Sequence, residues 1–344
     1  MARTLRNEFD KKLTYENLLK AHMQSRQNKA CRKDIILFDL KKEEYIRYLY
    51  EELKNGTYKH GKYTVFYVHE PKLRKIQKSR YIDRIVHRWV VDNFLYPVFI
   101  SKFIYTSYAC IRGKGMHKAC LDAQKAMKHC KNIWGEYYIL KMDVKKYFQN
   151  VNKDKLCSII SKKVKDEKLM WLLKEIIYSN EGITGIPIGN YTSQIFANIY
   201  LNELDQYIKR VLKVKYYFRY MDDSVIFVRT KEEAKEILKN ITIFLKEELF
   251  LELNSKTQIF KSKQGINFCG YKINEYRLKL RTRGKKKLKR KVKKLKMQIK
   301  NGKLTSREAQ KYLCGHYGYI KYANIYNLKN KVFFSNEKYQ LLKE

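Results

Sequence analysis

Val214-Lys215-Tyr216-Tyr217-Phe218-Arg219-Tyr220-Met221-Asp222-Asp223-Ser224-Val225-Ile226-Phe227-Val228 is the stretch whose reading decides the fold. Two runs rich in aromatic and β-branched residues flank Tyr220-Met221-Asp222-Asp223, and such runs favour a half-buried pleated surface. The pattern predicts a β-hairpin with two adjacent carboxylates at its tight turn. Adjacent carboxylates repel, and a fold that gathers them supplies a cation, usually a hard divalent metal. Asp-Asp is also an ordinary polar turn, because Asp tolerates turn geometry. A third acid shifts the balance. Tyr137-Tyr138-Ile139-Leu140-Lys141-Met142-Asp143-Val144 is strand-like and brings a carboxylate to its end. Two strands delivering Asp143 and Asp222 to one place, with Asp223 alongside, suit two-metal phosphoryl transfer.

Between the acids, Gly185-Ile186-Pro187-Ile188-Gly189-Asn190-Tyr191-Thr192-Ser193-Gln194 opens a predicted amphipathic helix with Phe196, Ile199, Leu204, Ile208 and Val211 on one face. Asn152 is placed to cap the helix that follows Phe148. Upstream, residues 1–60 are charged and helical in pattern. Tyr63–Val68 reads as a strand, and Ile85–Val98 has helical spacing. Tyr108–Gly115 is a basic glycine loop leading into a helix from Met116 to about Cys130. Downstream come a helix from Glu232 to about Leu249 and a short hairpin over Ile266–Ile273. From Arg277 to Lys300 more than half of the residues are Lys or Arg. Leu288, Val292, Leu295 and Ile299 recur there at helical spacing, which predicts a basic amphipathic helix within an all-helical piece from about residue 276. Thr305-Ser306-Arg307-Glu308 fits a capping box.

The 344 residues carry 75 basic and 34 acidic side chains, a formal charge of +41. Charge of that size implies a polyanionic partner, since phosphate neutralisation scales with the number of Lys and Arg contacts. The 29 tyrosines add aromatic surface of the kind that suits nucleic acid as well as core packing. A basic membrane-surface protein is the rival reading. No run of about 18 apolar residues occurs, and Met1-Ala2-Arg3-Thr4-Leu5-Arg6 lacks the apolar core of a signal peptide. A cytoplasmic protein without a membrane partner is expected. Seven cysteines with no Cys-x-x-Cys argue against a zinc ribbon or a disulfide framework and for buried reduced thiols. His87 and His117 lie in helix-like segments and read as packed or solvated rather than as ligands.

Lys72 and Arg74 would clamp phosphates, or form a solvated basic face. Lys256 would protonate a leaving group, and the Val144 carbonyl would add a metal ligand. The ordered set resembles the reverse transcriptases over roughly residues 60–275: Lys72/Arg74, Asp143 with Phe148, Gly189–Ser193, Tyr220-Met221-Asp222-Asp223, Lys256 and the Phe268–Gly270 hairpin. The resemblance implies an α+β, right-hand polymerase with RNA-directed DNA polymerase activity and two Mg²⁺ ions held by Asp143, Val144, Asp222 and Asp223. Its catalytic set is Asp143, Asp222, Asp223 and Lys256. It implies an N-terminal helical extension over 1–60 and fingers over 61–135, with 150–190 shared between fingers and palm. The palm would span 136–275 and a basic helical thumb 276–344. Lys72, Arg74, Phe148, Ile188, Gly189 and Gln194 would meet the dNTP, with Phe148 as the steric gate against a ribose 2′-hydroxyl, or as palm packing only. Template RNA and the RNA/cDNA duplex would lie along Arg84, Arg112, Lys114, Tyr220, Lys285, Lys286, Lys289, Arg290 and Lys293.

Within that family, Ile188-Gly189 and Ser193-Gln194 stand where most bacterial members carry Gln-Gly and Ser-Pro. That departure is similar to the enzymes of diversity-generating retroelements, as are Ile195–Asp205 and Asp83-Arg84-Ile85-Val86-His87. Such enzymes copy a template-repeat RNA with errors at adenines and work with a small basic accessory protein oligomer. No nuclease pattern of the HNH type follows the basic helix, where His316 is the one histidine after residue 276. The alternatives are another bacterial reverse transcriptase, of retron, abortive-infection or group II intron type, and a non-catalytic RNA-binding scaffold.

Overall fold

The computed structural model describes residues 4–69 and 73–333, so Lys72 lies outside the described residues. The chain forms two compact units. One comprises Met1–Tyr105, Val144–Lys213 and Lys239–Ser255; the other comprises Thr106–Asp143, Val214–Leu238 and Lys256–Glu344.

In the first unit, the helices Tyr15–Arg26, Lys33–Leu40 and Lys42–Lys54 bury Leu18, Ile35, Ile46, Leu49 and Leu53. Two strands, β1 (Thr64–Val68) and β2 (Arg74–Lys78), pair antiparallel from Thr64↔Lys78 to Val68↔Arg74, and every residue of β1 is exposed. The helix Tyr81–Val90 runs through a wider turn, Val91–Leu95, into Tyr96–Phe99, burying Ile85, Val86, Trp89, Val90, Phe94 and Leu95. Asn152 caps the helix Lys153–Ser161 by accepting from the Lys155 amide. Asp166 caps Glu167–Ile177, and its other oxygen accepts from the amides of Glu8 and Phe9 at 2.7 and 2.8 Å. The helix Tyr191–Gln206 differs from the expected one-faced amphipath. Its polar residues Thr192, Ser193, Asn198, Asn202 and Asp205 are buried along with its apolar ones, as befits a central helix covered on nearly every side. Val211, placed on the apolar face by spacing, is 63% exposed, because the helix widens at Tyr207–Val211 and the 3.6-residue period no longer applies.

The second unit is built on a four-stranded antiparallel sheet of β3 (Tyr138–Asp143), β4 (Tyr216–Tyr220), β5 (Asp223–Val228) and β6 (Gln258–Lys261), in the order β4-β5-β3-β6. Tyr216, Phe218, Val225, Phe227 and Ile139 share one face, and against them pack Ala119, Cys120, Ala123, Met127 and Cys130 of the helix Met116–Trp134. A smaller sheet follows, β7 (Ile266–Phe268), β8 (Tyr271–Ile273) and β9 (Leu278–Leu280), each strand alternating buried and exposed. The β7–β8 turn holds Cys269 at φ +44° and Gly270 at φ +87°. Both central residues are left-handed, as a twist-matched two-residue turn requires. A Cβ on Gly270 would fall 2.1 Å from the Tyr319 hydroxyl, which donates to the Gly270 carbonyl at 2.5 Å.

The piece from residue 276 on is therefore not all helical. Leu278–Leu280 forms β9 because Leu278 and Leu280 bury on one side of the small sheet, and the basic helix starts at Thr282. That helix, Thr282–Lys300, buries Leu288, Val292 and Leu295, and Ser306–Ile320 begins with the complete Thr305/Glu308 capping box. All seven cysteines are free thiols, but Cys31 and Cys314 are exposed and Cys110 and Cys269 only half-buried. Among the described residues no helix is long and apolar enough to cross a membrane.

Candidate active site

The antiparallel register of β3 and β5 runs from Tyr138↔Val228 to Asp143↔Asp223, so two carboxylates stand directly opposite at the end of the ladder. Tyr220↔Asp223 closes the β4–β5 hairpin, leaving Met221 and Asp222 as its two-residue turn and Asp223 as the first residue of β5. Met221 has φ +54°, a region that bulky side chains rarely enter and that tight hairpin turns of this length demand. The buried Arg219 donates through Nη1 to the Met221 carbonyl at 3.1 Å. Its own backbone bonds Thr106 and Tyr108, at 3.0 and 3.1 Å. Arg219 thus fastens the strained turn that presents Asp222.

Side chains two apart on a strand share a face, so Lys141 and Asp143 lie on the face that carries Asp223. The Lys141 ammonium forms an ion pair with Asp223 and sits 5.7 Å from the Phe268 ring centre. Burial raises the Asp223 carboxyl above its ordinary value, Lys141 pulls it down, and the charge of Asp143 raises it again. Two opposed carboxylates, one of them paired with Lys141, are oxygen donors of the kind that fit a hard divalent cation. Among the described residues no three ligand-type side chains converge on one point. A small divalent ion of the Mg²⁺ kind is commonly held by one or two carboxylates with the rest of its shell from water and substrate phosphate. Lys256 is exposed in the turn that precedes β6.

Val144 begins the first unit's second segment, buried and bridged to Leu253. That unit also contains the described residues of the expected nucleotide set, Arg74, Phe148, Ile188, Gly189 and Gln194. Phe148, half-buried against Tyr147 with ring centres 5.6 Å apart, accepts from the Ile186 amide at 2.8 Å. The Ile188 carbonyl accepts from the Gln77 amide of β2 at 3.1 Å, which draws the segment carrying Ile188 and Gly189 onto the hairpin carrying the exposed Arg74. Gln194 is exposed in the first turn of Tyr191–Gln206.

Arg84 donates to Asp34 at 2.5 Å and lies over the Tyr81 ring. Arg112 is exposed, whereas Lys114 reaches the Ser107 carbonyl at 3.2 Å and lies over Tyr108. Tyr220 is half-buried. Lys286, Lys289, Arg290 and Lys293 are exposed on the basic helix, and Lys285 is half-exposed. Sequence reading missed Lys141, Arg219 and the side chains that fasten Ile188–Thr192. Lys141 had a signal, being two residues before Asp143 on an otherwise apolar strand face.

A family model described as reverse transcriptase (RNA-dependent DNA polymerase) matches residues 59–273. The chain is 24% identical to the group II intron-encoded protein LtrA of Lactococcus lactis subsp. cremoris, over 67% of this chain and 50% of that protein. It is 26% identical to protein YkfC of Escherichia coli, over 59% of this chain and 63% of that protein. The chain thus spans about half the length of LtrA. Apo telomerase from Candida tropicalis, a solved structure, aligns with a TM-score of 0.46 at 14% identity, over 64% of this chain and 55% of that one.

Proposed function

The chain belongs to the reverse transcriptase family, and we propose that it copies RNA into DNA with Asp143, Asp222 and Asp223 as its catalytic acids, as a cytoplasmic enzyme of a diversity-generating retroelement. The observation that supports the chemistry is the Asp143↔Asp223 pair closing the ladder beside a turn that carries Asp222. These three carboxylates and the Val144 carbonyl would hold two Mg²⁺ ions. Bound there, the ions would acidify a primer 3′-hydroxyl and neutralise the triphosphate and leaving pyrophosphate.

The chain's own residues would do the rest. Lys72 and Arg74 would neutralise the incoming triphosphate, and Lys256 would give a proton to the leaving pyrophosphate. The Phe148 ring would exclude a ribose 2′-hydroxyl. Gly189 and Gln194 would line the pocket, where Ile188 in place of a hydrogen-bonding Gln removes a polar contact and loosens pairing. Arg84, Arg112, Lys114, Tyr220 and the Lys285–Lys293 face of the basic helix would carry template RNA and the RNA/cDNA duplex, with a small basic accessory oligomer as partner. In domain terms, residues 61–135 would be fingers, 136–275 palm and 276–344 thumb, after the 1–60 extension.

A group II intron-type enzyme is the second reading, favoured by the similarity to LtrA. Primer extension on a defined RNA with Mg²⁺ and dNTPs, followed by sequencing of the cDNA, separates the two. Errors concentrated at template adenines, and reduced in Ile188→Gln, support the mutagenic reading. Accurate cDNA supports the second. No product with native RNA and any accessory protein present would refute both.

A further inference from the structure

Ile188–Thr192 is fastened at alternate residues. The Ile188 carbonyl takes the Gln77 amide at 3.1 Å. The buried Asn190 accepts from Ser79 Oγ at 3.0 Å and donates to the Tyr63 hydroxyl at 3.2 Å. The buried Thr192 hydroxyl lies 2.6 Å from His87 Nδ1. Between the anchors, Gly189 has φ +123°, and a Cβ there would meet the Ile76 side chain at 3.2 Å. The segment therefore lies close against β2, with little room to shift without losing an anchor.

The third anchor runs deepest. His87 is buried, and its Nε2 lies 3.1 Å from Nε2 of His60, whose Nδ1 lies 2.7 Å from the Gly61 carbonyl. A carbonyl oxygen only accepts, so His60 carries a proton on Nδ1. With His60 neutral, its Nε2 is a lone pair, and the hydrogen between the rings comes from His87 Nε2. His87 Nδ1 is then an acceptor, and Thr192 donates to it. Hydrogen bonds run in one direction, Thr192 to His87 to His60 to Gly61, with both rings neutral.

Neutrality follows from the surroundings. Burial holds His87 down to about 3, with His60 adding to the fall. Burial likewise lowers His60. The charged groups facing the pair are Asp83, Arg80 and Arg84 around the start of the His87 helix, and Glu175 of Glu167–Ile177. Asp83 is engaged by Arg80 at 2.8 and 3.1 Å and by Tyr58 at 2.8 Å, and Glu175 accepts the His60 amide at 3.1 Å.

The geometry points to His60 and His87 as positioning residues for nucleotide selection: through Thr192 they fix Ile188 against β2, and so set the shape of the pocket without touching the dNTP. This rests on the proposed role of Ile188. Because Ile186 bonds Phe148 and Ile188 bonds Gln77, loosening at Thr192 shifts the segment that links the proposed steric gate to β2. Among the described residues, the basic helix proposed to carry RNA contributes no bond to this network.

Thr192→Val removes the hydroxyl at nearly constant shape, and Thr192→Ser restores it. For Thr192→Val the expected result is a dNTP KM raised about tenfold, the loss of roughly one net hydrogen bond, with RNA affinity unchanged. Exchange of the Gln77 amide should accelerate, and Thr192→Ser should return both readouts towards wild type. Unchanged KM and unchanged exchange in Thr192→Val would overturn the inference. So would a parallel loss of melting temperature and RNA affinity, which marks a merely structural role. If wild type makes no cDNA, the polymerase reading fails on its own. Gln77 exchange then decides whether the relay holds the segment: faster exchange in Thr192→Val supports it, and unchanged exchange overturns it.

Discussion

The carboxylate hairpin and the Ile188–Thr192 segment are positioned by different kinds of bond. Asp143 and Asp223 meet because β3 and β5 pair in register along their whole length, a ladder of main-chain bonds. Ile188–Thr192 has no ladder. One main-chain bond from Gln77 and side-chain bonds from Ser79, Tyr63 and His87 reach it from three stretches of the chain. A main-chain ladder holds its geometry when a side chain changes, so a substitution in the hairpin alters chemistry and leaves the frame intact. A side-chain network has no such reserve, and one lost hydroxyl alters geometry.

The largest effect tests the first half of that contrast. Asp222→Asn keeps the size of the side chain in the turn and removes its charge. Primer extension should fall about 10²- to 10³-fold, the range seen when a preorganised electrostatic group is removed, while RNA affinity and Gln77 exchange stay at wild-type values. A variant that also lost RNA binding or melted early would show that the turn holds the frame as well as the chemistry. Next in size is Lys141→Met. The ammonium now on Asp223 competes with any divalent cation for that carboxylate, so its removal should tighten binding of Mn²⁺, read by electron paramagnetic resonance without nucleotide, about tenfold, or ~1.4 kcal/mol. Unchanged Mn²⁺ affinity would make Lys141 a bystander.

The same contrast explains what was legible in the sequence. Ladders announce themselves through period-two runs: β3, β4 and β5 and the acids at their ends follow from residues 137–144 and 214–228, and the right-hand polymerase class follows from the resemblance those motifs carry to the reverse transcriptases. The Asn152 cap and the Thr305/Glu308 capping box were equally local and equally readable. What stayed hidden depends on distant partners. Nothing near His87 says that it faces His60 and Thr192, and nothing in Leu278-Lys279-Leu280 outweighs the basic run around it until β8 supplies a neighbour. Polar residues on the helix Tyr191–Gln206 look like a solvated face until its surroundings cover them.

The smallest effect is a pH dependence confined to the network. In the fold His87 stays neutral down to about 3, whereas the unfolded chain takes up that proton near pH 6.5. Between those values the unfolded state binds more protons, so stability rises with pH and is lost as pH falls below about 6.5. His87→Gln removes this one titration. Between pH 6 and 5 the wild type should lose up to about 1.4 kcal/mol per pH unit more than the variant, read from urea unfolding at each pH. His60, also lowered by burial, remains in both proteins. Parallel pH profiles for wild type and His87→Gln would mean that His87 is already protonated in the fold. The one-way relay to Thr192 would then be wrong, while the strand register that presents Asp143 and Asp223, having no histidine in it, would stand.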